Sequence, residues 1–183
     1  DFPWDVANID FIKAHKHHIP EGEEVVDHFI GLYEENVIPN DANLRKAVIH
    51  NDSHGDNLLV TNDGDLRAII DFGDLVYSFV ACEPAVCMNY VALEVDEPLQ
   101  PIAKVLKGFH ETFPLTSDEL LSVIYMICIR SCITVTMAAE RKKLFPENEY
   151  IFVTEDQAWK FLHKMQNEDL NIWSQELLKH AEA

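Results

Sequence analysis

The chain has 183 residues, 48 % of them apolar, and carries 32 acidic against 14 basic side chains, a formal net charge of −18. That length and apolar content allow one sizeable core and exclude a disordered tail. The acidic balance repels phosphate backbones and anionic headgroups, so neither nucleic acid nor a membrane surface is an expected partner, whereas a cationic small molecule is attracted.

In chain order, helical spacing of apolar residues predicts helices over 8–18 and 23–37, the second opening at the acidic "EGEE" and carrying Val25, Val26, Phe29, Leu32 and Tyr33 on one face. The period then changes. "AVIH", "LLVT" and "LRAIIDF" read as three short strands, with "NDGD" as the turn between the last two. After Gly73 the helical pattern returns, over 79–94, 99–113, 117–144, 155–166 and 168–181, and "PLTSDELL" supplies an N-terminal cap through Thr116 or Ser117. The expected fold is α+β and mainly helical, one domain with a small β-hairpin element embedded in it. No run of about eighteen apolar residues and no signal-peptide pattern is present. Four cysteines lie in apolar stretches without C-x-x-C spacing, which reads as four buried free thiols and a cytoplasmic location. The chain begins with Asp1 rather than Met, as a piece of a longer protein would.

The chemistry concentrates in "AVIHNDSHGDNLLVTNDGDLRAIIDFGDLVY", residues 47–77. His50, Asp52 and Asn57 have the H-x-D-x-x-x-x-N spacing of a kinase-type catalytic loop, and fourteen residues after Asn57 comes Asp71 in a D-F-G. Phosphoryl transfer needs hard oxygen ligands for Mg²⁺ and one acceptor for the proton of the attacking hydroxyl. Asn57 and Asp71 offer the ligands from two neighbouring loops, and Asp52 offers the acceptor. Asp74 reads as a brace for the loop or a partner of metal-bound water, His50 as a turn histidine bonded to the D-F-G backbone, and Glu83 as a cap or support at a helix start.

"VIHNDSHGDNLLV" and "IIDFGDLVYSFVACEPAV" resemble the catalytic segments of the aminoglycoside phosphotransferase superfamily, most closely the branch of hydroxylysine kinase and of kinase modules fused to aminotransferases. The similarity continues through "VLKGFHETFPLTSDEL", "IRSCITVTMAAERKK" and "PENEYIFVTEDQAWKFL", so it covers most of the chain. It implies a protein-kinase-like fold, ATP or GTP with Mg²⁺, and transfer to a hydroxyl of a small amine-bearing molecule such as hydroxylysine. Asp56 and Glu111 are candidates for holding the amine. Two departures stand out. Asn51 occupies the place where the family has Gly, and no G-x-G-x-x-G loop or V-A-I-K strand occurs. The resemblance is therefore to the C-terminal lobe alone, with an N-lobe or fused domain expected as intramolecular partner and the isolated chain expected to be inactive.

Two other readings are open at this level. His50, Asp52, His54 and Asp56 alternate as the ligands of a metal-dependent hydrolase would, and a chain lacking one lobe could be a non-catalytic binding module marked by an exposed apolar patch. The histidines of "HKHH", residues 15–18, lack a partner cluster in the sequence and read as exposed surface. Trp4, Trp159 and Trp173 read as core or groove packing.

Overall fold

The structure, a computed structural model, describes residues 2–145 and 154–183. The last stretch of family resemblance begins at Pro146, so its first half lies outside them. Among the described residues the chain is mainly helical with two small antiparallel sheets. The helices are α1 (Ile9–His15), α2 (Glu23–Asn36), α3 (Cys82–Leu93), α4 (Leu99–Thr112), α5 (Ser117–Leu144), α6 (Glu155–Met165) and α7 (Leu170–Glu182). The strands are β1 (Lys46–Ile49), β2 (Leu58–Val60), β3 (Leu66–Ile69) and β4 (Val76–Phe79).

Helix α5 is the axis of the molecule, and α1, α2, α3, α6 and α7 all pack on it. By length and composition it could cross a membrane, yet 89 % of its most apolar window is buried inside this chain, as in a core helix. Its start is fixed by a capping box in which Thr116 Oγ1 accepts from the Glu119 N–H and Glu119 Oε2 accepts from the Thr116 N–H. Glu119 is fully buried and also takes the Arg45 N–H, Nε and Nη2 at 3.1, 2.9 and 2.6 Å. One carboxylate thus ties the start of α5 to the residue before β1. Burial pushes its pKa up, but the bonds from Arg45 and Thr116 outweigh this and leave it below the usual carboxylate value.

The expected hairpin is β2 paired with β3, with a bulge at Leu59/Val60 and a turn whose Gly64 has φ +88°. The expected helix over 79–94 needs correction. Residues 76–79 form β4, antiparallel to β1, and α3 starts at Cys82. A short apolar run is ambiguous between strand and helix by period alone, and here the hydrogen bonds to β1 decide it. Similarly the helix expected over 8–18 ends at His15 and continues as a 3₁₀ turn over Lys16–His18. Cys82, Cys128 and Cys132 are buried and unpaired, but Cys87 is only half-buried. Trp173 lies in the core, while the Trp159 ring packs where a Cβ on Gly22 would come within 2.9 Å, at a residue with φ +95°.

Candidate active site

The loop between β1 and β2 carries the first three predicted residues. It turns at Asn51, which has φ +64° and is fully buried. This is the left-handed region where Gly is at ease and Asn is the least costly substitute, so the departure from the family's Gly keeps the turn. Asn51 also adds one bond that Gly cannot make, because its Nδ2 donates to the Trp4 carbonyl at 3.3 Å. The Asn51 N–H donates to Glu83 Oε2 at 3.0 Å, and Ser53 Oγ donates to the Glu83 carbonyl at 3.4 Å. Glu83, in the first turn of α3, therefore touches the loop backbone.

Asp52 sits at the centre of a converging set of donors. Its Oδ2 accepts from Asn57 Nδ2 at 2.9 Å, and the same amide donates to the Asp52 carbonyl at 2.8 Å. Its Oδ1 accepts from the Tyr90 hydroxyl at 3.1 Å and faces Arg130 Nη2 at 3.4 Å. His54 Nε2 lies 3.3 Å from Oδ2. The Arg130 side chain is 3 % exposed and the Asp52 side chain 18 %, so the carboxylate is held from within and open on one side. Arg130 is itself fixed, with Nη1 donating to the Trp4 carbonyl at 3.1 Å and its guanidinium 4.6 Å from the centre of the Trp4 ring. Burial raises the Tyr90 pKa; Arg130 opposes this and Asp52 adds to it, so the phenol stays protonated as a donor.

The second loop follows β3. The Ile70 N–H donates to the Asn57 carbonyl at 3.0 Å, tying the two loops one residue before Asp71. His50 Nε2 donates to the Ile70 carbonyl at 2.9 Å, and its ring meets Phe72 edge-on at 5.2 Å. Its Nδ1 is buried without a partner among the described residues. Asp71 has φ +61° and is exposed, and its Oδ1 accepts from the Gly73 N–H at 3.3 Å. Burial, then the charges of Asp52 and Asp71, raise the Asp74 pKa, with Arg130 and His50 offsetting part of the effect. The three carboxylates thus share one region. That donor set fits Mg²⁺. With Asn57 Nδ2 committed to Asp52, the amide presents its oxygen elsewhere, the second Asp71 carboxylate oxygen accepts no hydrogen bond among the described residues, and a divalent cation would relieve the repulsion on Asp74.

Not every predicted residue joins this group. Asp56 has a 98 % exposed side chain 3.9 Å from His54 Nδ1, and Glu111 lies on α4 paired to Lys107 at 4.0 Å. Of the hydrolase set, His50 Nε2 is bonded to the Ile70 carbonyl, while His54 Nε2 lies beside Asp52. Sequence reading missed Tyr90, Arg130 and the carbonyl of Trp4. Arg130 left a signal: a charge inside the apolar stretch of α5 is rarely buried unless it is paired.

The sequence profile of the phosphotransferase enzyme family (APH) matches residues 10–114. Among curated proteins, the hydroxylysine kinase of Xenopus laevis is 30 % identical over 188 aligned positions, covering 94 % of this chain and 50 % of that protein. The hydroxylysine kinase of Mus musculus is 28 % identical over 176 positions, covering 90 % of this chain and 47 % of that protein. The chain thus spans about half the length of the curated relatives it matches. No solved structure gives a significant match.

Proposed function

Because the chain belongs to the phosphotransferase enzyme family, we propose that it forms the catalytic floor, the C-terminal lobe, of a small-molecule kinase that phosphorylates a hydroxyl on an amine-bearing acceptor. The observation that carries this reading is the single carboxylate of Asp52, oriented by Asn57, Tyr90 and Arg130 with one side open, beside a second acidic loop tied to Asn57. In this reading Asp52 aligns the acceptor hydroxyl and takes its proton. Asn57 and Asp71 hold Mg²⁺, which when bound neutralises charge on the phosphates of ATP or GTP. Tyr90 and Arg130 keep Asp52 in place, Glu83 and His50 brace the two loops, and Asp74 adds charge at the rim of the metal site.

The acceptor class follows from two supports. The net charge of −18 draws cations, and the relatives are named for hydroxylysine. A cytoplasmic location belongs to the same reading, supported by four free cysteines of which three are buried. The nucleotide cover belongs to another lobe or fused domain. Its docking place is the exposed apolar surface of the strands and the D-F-G turn, where Val48, Val60, Leu66, Phe72 and Tyr77 are 57–68 % exposed. A non-catalytic docking module would use that face too, and activity separates the two. The test is transfer by the intact protein with MgATP or MgGTP, comparing hydroxylysine, ethanolamine and homoserine with neutral sugars. Phosphorylation of the amines supports the proposal. Preference for a neutral sugar overturns the acceptor class, and no transfer to any acceptor overturns the kinase reading.

A further inference from the structure

The "HKHH" segment finds in the fold the partner that its sequence lacks. Where α1 passes into the 3₁₀ turn, the repeat tightens to about three residues, so side chains at i and i+3 eclipse. His15 and His18 are so related, with ring centres 6.0 Å apart. Opposite them stands Glu140 in the closing turns of α5, whose Oε1 is 3.1 Å from His15 Nδ1. That nitrogen is buried and has no hydrogen-bond partner among the described residues, so the contact is close without the alignment for sharing a proton. One donor atom from each of the three residues lies within 4.8 Å of the others.

Two lone-pair donors side by side without a shared proton are what a common cation organises. In a tetrahedral zinc site with bonds of about 2.0–2.2 Å, neighbouring donors stand about 3.3–3.6 Å apart. The His15–Glu140 pair is already close to that spacing, and His18 needs only a modest swing to reach it. Two imidazoles and a carboxylate suit a borderline ion such as Zn²⁺, in contrast to the all-oxygen set around Asp71. Lys143 Nζ lies 2.9 Å from His18 Nδ1, so an ammonium competes for this ligand.

We propose that His15, His18 and Glu140 form a zinc-type metal site that clamps the end of α1 to α5, separate from the candidate active site. The fourth position is left to water. Titration of the intact protein with Zn²⁺ by calorimetry, and with Co²⁺ by visible absorption, tests it. The expected result is a Zn²⁺ affinity that falls at least about tenfold in each of His15→Asn, His18→Asn and Glu140→Gln, with loss of the Co²⁺ d–d bands. Lys143→Gln should tighten binding, and Asp96→Asn, at an exposed carboxylate outside both sites, should leave it unchanged. All three ligands are partly exposed, and matched circular dichroism checks that the variants keep the fold. Equal Zn²⁺ affinity in the parent and His18→Asn, no binding at about 100 µM Zn²⁺, or an equal loss caused by Asp96→Asn would overturn the assignment.

Discussion

Replacing Arg130 by Met isolates what the buried guanidinium does for Asp52. The parent side chain bonds the Trp4 carbonyl at 3.1 Å, Tyr90 at 3.3 Å and Asp52 at 3.4 Å, and stacks on Trp4 at 4.6 Å. Breaking a fully buried ion pair costs roughly 3–5 kcal/mol because one charge is left unpaired. Here the loss is smaller, because Asp52 is partly exposed and keeps Asn57, Tyr90 and His54. The lost stacking adds up to about 2 kcal/mol, so roughly 3 kcal/mol in all is expected. For a chain of this size that lowers the melting temperature by about 6–12 °C. Met preserves the stem's packing while removing every donor, and Arg130→Lys cannot reach all three acceptors at once. With the carboxylate no longer fixed, turnover of the intact enzyme should fall by about 10–100-fold with a smaller change in KM. Thermal melts and steady-state transfer assays at saturating donor measure both. Turnover within about twofold of the parent would refute the claim that Arg130 positions Asp52, whatever the melting temperature does.

Glu119→Gln should destabilise the protein by about 2–4 kcal/mol in urea titrations, since a buried carboxylate that accepts four bonds becomes an amide. Because the folded pKa of Glu119 lies below its unfolded value, its contribution is present above about pH 4.3 and is lost as the pH falls through the folded pKa. The variant should therefore lack that part of the acid destabilisation. Asp74 has the opposite sign. Its raised pKa makes the charged form unfavourable once the pH exceeds the folded value, so Asp74→Asn should raise the melting temperature at neutral pH without divalent ions, and a lowered one would contradict the clustering with Asp52 and Asp71. Asn51→Ala should cost about 1–2 kcal/mol for its left-handed backbone and Asn51→Gly clearly less; equal losses by urea denaturation would show that the turn does not demand positive φ.

The helical frame was legible because its signals are local: apolar spacing, the Thr116–Glu119 cap and the turn at Gly64. The spacing of Asp52, Asn57 and Asp71 likewise pointed to one region of the chain, and the two loops that carry them are joined through Ile70 and Asn57. What sequence could not give was set by contacts distant along the chain. Strand β4 exists because β1, some thirty residues earlier, pairs with it. Arg130 reaches Asp52 from 78 residues away and Trp4 from 126. His15 meets Glu140 only because α1 lies along α5. Periodicity carries no information about such meetings, although the isolated charge of Arg130 in an apolar helix was a usable warning.

The most direct measurement is the rate of phosphoryl transfer by the intact protein with and without Asp52→Asn, followed by ³¹P NMR on the acceptor. Asparagine keeps the shape but cannot take a proton, so turnover should fall by a factor on the order of 10² or more, with the melting temperature nearly unchanged. Near-normal turnover in the variant would contradict the assignment of Asp52 as the base and, with it, the account of the site.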